Sequence, residues 1–217
     1  QAGFDNYLML EGLAARITPF NVGSVGTDSE RMYDNFMRKF RYGNVADPKV
    51  YVDQTVMRPC YTHRLRMAQL AQQLLMEGKR DKALKVLQKC EQVLPPSQVP
   101  YEVWSLGIDT KKHLLMMPEC YRELGKTKEA EAILKSVADR ALAYFDWYNS
   151  FSENRLSSMS GDIMQQCKSS LIENYKKRAD VLAGTPSGRV LISAMNARRA
   201  ADAQRYLPED AEEGAEY

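Results

Sequence analysis

The sequence predicts an all-α protein built from antiparallel helix pairs, and three observations predict it. Apolar residues recur at spacings of three and four through most of the 217 residues, the period of one helix face. A helix–glycine–helix pattern centred on Gly78 returns at Gly125. No strong run of alternating apolar and polar residues marks a set of strands. Composition agrees with a packed domain, since 44% hydrophobic and 27% charged residues are ordinary for a globular chain. The purest apolar run is Leu114-Leu115-Met116-Met117. It falls far short of the roughly 18 residues a spanning helix needs, so this segment is not expected to insert into a membrane.

The N-terminal part is the least periodic. From Phe4 to Phe20 apolar and small residues mix without a clear repeat. Asp5 can cap a short helix, but Gly12 and Pro19 interrupt it, so helix and strand both stay open. Asn21 to Ser29, with Gly23, Gly26 and Asp28, reads as a loop. A helix is expected from Asp28 or Ser29, with Met32, Tyr33, Phe36, Met37 and Phe40 on one face. Arg38, Lys39 and Arg41 crowd its last turn, where cations suit the negative end of the helix dipole. Gly43 and Asn44 are expected to stop it. Asp47-Pro48 then opens a short segment, Lys49 to Met57.

Arg64 to Ser97 is the most informative stretch. Met67, Leu70, Ala71, Leu74 and Leu75 form one apolar stripe, and Gly78 breaks it. Ala83, Leu84, Leu87, Cys90 and Leu94 form a second, which Pro95-Pro96 ends. A linker this short forces two helices to pack antiparallel. The spacing of Met67, Leu70, Ala71, Leu74, Ala83, Leu87 and Pro95 fits a tetratricopeptide repeat (TPR). Ala71 and Ala83 are the small residues that let the paired helices approach. A second copy follows in Leu114, Met117, Tyr121, Gly125, Ala130 and Leu134, offset by 47 residues, about 13 more than the usual period of roughly 34. The extra residues lie near Gln98 to Thr110, with Tyr101 and Trp104 among them. Pro118 stands at the small-residue position and is expected to kink or delay the first helix of this unit.

The second helix of that unit is expected to run from Ala130 to about Tyr148. Ile163, Cys167, Leu171, Tyr175 and Leu182 line a further helix, and Val190, Leu191, Ala194, Ala197 and Ala201 another. Two repeats are fewer than the three that normally bury a continuous core, so these flanking helices are expected to act as caps. The expected architecture is a short TPR-like right-handed helical repeat with capping helices. It forms a single domain over 1–208, with units at about 64–97 and 111–144 and an N-terminal arm over 1–29. Residues 209–217 are expected to be an acidic flexible tail.

Thirty bases against 28 acids give a net charge of +2, but five acids and no base lie between Glu209 and Tyr217. The rest of the chain is therefore mildly basic. No RGG tract, basic run of five or RNP-like aromatic pattern is present, so nucleic acid is not an expected partner. The four cysteines, Cys60, Cys90, Cys120 and Cys167, form no CxxC and lack zinc-site spacing. They read as buried thiols. No HExxH, GxSxG, Walker, GxGxxG or EF-hand motif occurs, and no catalytic residue, metal or cofactor is assigned. Arg58, His63 and Arg64 form a candidate anion patch, because arginine offers a planar donor fork. Arg66, Gln69, Gln72 and Gln73 are the candidate groove residues on the first helix of the first repeat. Tyr144, Phe145, Trp147, Tyr148 and Phe151 are a dense aromatic group, expected to pack internally.

Three segments carry a family resemblance: YLMLEGLAARITPF (Tyr7 to Phe20), ERMYDNFMRKFRYGN (Glu30 to Asn44) and DPKVYVD (Asp47 to Asp53). They resemble the soluble C-terminal region of large Bacteroidetes membrane proteins, long filed as a domain of unknown function. The multi-spanning N-terminal region of those proteins is similar to protein O-mannosyltransferases. The resemblance covers most of the chain, through the repeats. It implies a parent enzyme that transfers a sugar from a lipid-linked donor, with the catalytic carboxylates in the membrane part. No catalytic residue carries over onto this segment. It also implies placement at the periplasmic face of the inner membrane.

The chain begins at Gln1 and is expected to be a mature product or a piece of something longer. The expected role is a non-catalytic helical-repeat module of a membrane-bound glycosyltransferase-like protein. Its partner would be a protein or peptide acceptor, or its own membrane region. The alternatives are a free-standing TPR-like scaffold, which could be cytoplasmic, and a soluble enzyme with a site around Cys60, His63 and Arg64.

Overall fold

A computed structural model describes residues 4–23, 25–101, 116–151 and 193. The described residues are predominantly helical, as the periodicity predicts. The chain divides into two compact units, 1–137 and 138–217. The two helices expected after Gly161, apart from the helical Ser193, lie outside the described residues, as do the acidic tail, Cys167 and Trp104.

The aperiodic N-terminal part holds a small sheet of β1 (Leu8–Leu10), β2 (Ala15–Ile17) and β3 (Gly26–Thr27), ordered β2-β1-β3. β1 and β2 are antiparallel with Leu8 opposite Ile17, and β1 and β3 are parallel. The segment read as a loop from Asn21 to Ser29 therefore contains a strand. Two residues are too few for an alternation to appear in sequence, and pairing with β1 makes the strand. Thr18 closes the sheet by donating its amide and its hydroxyl to the Tyr7 carbonyl.

Helix α1 (Ser29–Asp34) begins where expected, because the Asp28 carboxylate accepts the Arg31 amide at 3.0 Å, an N-cap bond. A π-helical turn, Asn35–Lys39, continues it. The chain becomes extended at Phe40, before the expected stop at Gly43. The wider turn has a visible cause. Asn35 donates its side-chain amide to the Glu11 carbonyl at 2.6 Å, and Phe40 folds back edge-on to Phe36 at 5.1 Å. Tertiary contacts thus end the helix earlier than the local stop signal would.

Helix α2 (Gln54–Met76) starts ten residues before the repeat unit expected at about 64–97, with Asp53 as its N-cap accepting from Val56 at 2.8 Å. The segment Lys49 to Met57 is therefore no separate element: its last four residues are the first turn of α2. Pro59 lies inside the helix, and its missing donor did not prevent helix formation. Helix α3 (Arg80–Val93) follows after Gly78, and Pro95 and Pro96 follow its end as expected. Helix α4 (Met116–Glu123) contains the buried Pro118, and α5 (Thr127–Asn149) is the long second helix.

The core of the first unit lies between α2 and α3. Met67, Leu70, Ala71 and Leu74 are inaccessible, as are Ala83, Val86, Leu87 and Cys90. Each buried leucine contributes roughly 1.5–3 kcal/mol relative to an exposed one. Met32 and Phe36 from the α1 region complete this core, and Met117, Tyr121, Ala130, Ile133 and Val137 extend it through α4 and the start of α5.

The two turns between paired helices have the same construction. The Gly78 amide bonds the Leu75 carbonyl at 2.9 Å and the Lys79 amide bonds Leu74 at 2.8 Å. At the second turn, Gly125 bonds Arg122 at 2.9 Å and Lys126 bonds Tyr121 at 2.8 Å. Both are Schellman closures. Both glycines have positive φ, 74° and 77°, where a Cβ is disfavoured.

Candidate binding face

The solvent side of α2 carries the four groove candidates. Gln72 is exposed, while Arg66, Gln69 and Gln73 are half-buried. Arg66, Gln69 and Gln73 share one side of the helix by their three- and four-residue spacing. Arg66 donates to the Gln69 side-chain oxygen at 2.9 Å, and Gln73 donates to Glu77 at 2.9 Å. Arg66 Nε is buried without a hydrogen-bond partner among the described residues.

This polar row runs on into a charge network at the Gly78 turn. Glu77 accepts from the Ser29 hydroxyl and from Lys79, each at 2.7 Å. Burial opposes the charge on Glu77, but hydrogen bonds from Lys79, Gln73 and Ser29 outweigh it and hold the carboxyl below its usual value. Glu30 on α1 takes Lys79 and Lys82, each at 2.7 Å. Hydrogen bonds from those two lysines lower its carboxyl to about 2. The network ties α1 to the turn between α2 and α3.

The anion-patch candidates share α2 but do not converge. Arg58 is exposed. The His63 ring lies among Phe36, Phe40 and Tyr42, with centroids 5.7–6.3 Å away, and its Nδ1 is 2.7 Å from the Pro59 carbonyl oxygen. That oxygen can only accept, so Nδ1 carries the proton. Arg64 is only 6% exposed. Its guanidinium donates to the carbonyls of Leu94 and Val99 at 2.7 and 2.6 Å and of Pro100 at 2.6 Å. It also stands over the Tyr101 ring at 4.8 Å. Arg64 is therefore a clamp that holds the chain leaving α3 against α2, and its fork is not presented to a solvent anion.

The sequence carried a signal for this. Arg64 falls in register with Met67, Ala71 and Leu74 on the apolar stripe, a position at which a charge must find buried partners. Glu91 carried no such signal. It accepts from Tyr101 at 3.2 Å and Tyr121 at 3.1 Å, linking the end of α3 to α4. Burial, aided by the Glu91 charge, pushes both phenols well above their ordinary value, so both stay donors.

The candidate pair Cys60 and His63 does not form a nucleophile–base contact: among the described residues no hydrogen bond joins them. Burial pushes the Cys60 thiol up, away from the thiolate that nucleophilic chemistry needs. Cys90 and Cys120 are buried too, and their thiols are pushed to about 11 and about 12, chiefly by burial. Among the described residues no group of three His, Cys, Asp or Glu could hold a metal ion, and no helix is long and apolar enough to cross a membrane. In the aromatic group near the end of α5, Trp147 packs edge-on to Phe151 at 4.7 Å and is half exposed. The side chains of Tyr144, Phe145 and Tyr148 lie outside the described residues. Comparison with protein-family models, with curated proteins and with solved structures gives no match.

Proposed function

We propose that the chain is a non-catalytic, TPR-like helical-repeat domain that binds a protein or peptide partner along the polar side of its first helices. The carrying observation is the recurrence of one helix-pair design at an offset of 47 residues. Leu74 and Tyr121, Gly78 and Gly125, Ala83 and Ala130, and Leu87 and Leu134 have equivalent places in their pairs, and apart from the two turn glycines all are buried. Helix pairs stacked in this way present their first helices along one surface, where Gln69, Gln72 and Gln73 lie beside Arg66.

By its resemblance to the soluble region of membrane glycosyltransferase-like proteins, the domain holds an acceptor protein, or the membrane region of its own parent, near the site of sugar transfer. That role places it at the periplasmic face of the inner membrane.

The test is affinity capture from a periplasmic extract on the immobilised chain, in parallel with a Gln69→Ala/Gln72→Ala/Gln73→Ala variant of unchanged circular dichroism. The expected result is a defined set of captured proteins, depleted at least fivefold by the triple substitution. Equal capture by both proteins, or none by either, would sink the proposal.

A further inference from the structure

The segment 30–42 and the α3 stretch 79–89 together hold nine bases and three acids, a net +6 in a chain whose total is +2. The fold sets the two segments side by side. Lys82 Nζ lies 5.3 Å over the Tyr33 ring and Lys89 Nζ 5.9 Å over the Tyr42 ring, so the segment from Tyr33 to Tyr42 runs beside α3 from Lys82 to Lys89. Lys82, Lys85 and Lys89 share one side of that helix by their spacing, over a rise of about 10 Å.

The acids within this surface are largely engaged, and several of its bases are too. Glu30 is paired with Lys79 and Lys82, and Asp34 with Arg38 and Lys39 at 3.3 and 2.8 Å. Acids flanking the two segments take Arg31 (Glu11 and Asp28) and Lys79 (Glu77). Asp81 sits in the first turn of α3. Among the described residues Arg41, Lys85 and Lys89 have no acidic partner.

We propose that this strip docks an extended acidic segment of a partner protein. An extended chain places same-side residues about 7 Å apart, so two or three carboxylates at alternate positions can meet the cations along α3. A single-stranded nucleic acid would need open aromatic faces for its bases. Here Tyr33 and Tyr42 lie under lysines, Phe36 is inaccessible, and Phe40 packs on Phe36. An anionic membrane would be held better with an apolar anchor, and α3 exposes no large apolar side chain between Lys82 and Lys89. The strip belongs to α1, its π-helical extension and α3 rather than to the polar side of α2, so it does not depend on the binding face proposed above.

The test uses the full chain and a fluorescein-labelled decaglutamate peptide, read by fluorescence anisotropy at 150 mM salt. Binding is expected, weakening as salt rises, because exposed ion pairs are screened. Arg41→Glu/Lys85→Glu/Lys89→Glu should weaken it at least about tenfold, and the milder Lys85→Gln/Lys89→Gln should give a smaller loss at unchanged circular dichroism. Lys128→Glu, on α5, should leave it unchanged. No binding by the unaltered chain, equal binding by the triple variant, or tighter binding of decathymidylate or of phosphatidylglycerol vesicles would each overturn the proposal.

Discussion

Arg64 stacks its guanidinium 4.8 Å from the centre of the Tyr101 ring while donating to the carbonyls of Leu94, Val99 and Pro100. One buried cation thereby fixes the path of the chain as it leaves the first helix pair. Replacing it with Met keeps the bulk and removes every donor. Three carbonyls then lose their partner, and Arg64→Met should destabilise the protein by about 3 kcal/mol or more. Arg64→Lys should recover only part of this, since an ammonium lacks the planar fork. Urea denaturation of the two variants measures both losses.

The glycines at the two turns should respond alike. A Cβ added at Gly78 or Gly125 meets nothing within 4 Å, so the cost of Gly→Ala there is conformational. It should be about 1 kcal/mol at each site, with Asn at either position costing less. Thermal unfolding of Gly78→Ala, Gly125→Ala and the two Asn variants decides it. Unequal losses would show that the two turns bear different strain.

Glu30 should make stability depend on pH in acid. Its hydrogen bonds from Lys79 and Lys82 depress the carboxyl from 4.5 to about 2 in the folded protein. A depressed carboxyl adds stability above its unfolded value and loses it as pH falls through the folded one. The contribution is therefore complete above about pH 5 and disappears toward pH 2. The slope of the denaturation midpoint between pH 5 and pH 2 should be shallower in Glu30→Gln than in the unaltered chain. Because the site is exposed, added salt should shrink the difference.

The three described cysteines should be inert in the folded protein. All are buried as free thiols and are pushed above their ordinary value, chiefly by burial. At pH 8, iodoacetamide should leave Cys60, Cys90 and Cys120 unmodified in the native protein and alkylate all three in guanidinium. Peptide mass spectrometry reads each site separately. Rapid native labelling of Cys60 would favour the soluble-enzyme alternative.

Legibility followed the range of the interaction. The stripes through Met67, Leu70 and Leu74 and through Ala83, Leu87 and Cys90 were readable, because helix period is local and the buried sides are those residues. Gly78 and Gly125 were readable for the same reason. The start of α2 at Gln54 was not legible, because the Asp53 cap and the interior Pro59 sit in a stretch with weak period. The end of the α1 region was misplaced because contacts made by Asn35 and Phe40 override the stop at Gly43. Among the site candidates, the sequence put Arg58, His63 and Arg64 together by proximity in the chain, yet their side chains point into three environments.

The sequence by itself determined the helix pairs and their glycine turns, since backbone propensity and apolar period act over a few residues. Only the tertiary structure decided that Arg64 is consumed as a clamp and that Glu91 joins Tyr101 to Tyr121. It also decided that three short strands pair at the N-terminus and that the segment from Tyr33 to Tyr42 runs beside α3. Each of these depends on residues from different elements meeting in a low-dielectric or paired setting, and apolar period along the chain does not encode such meetings.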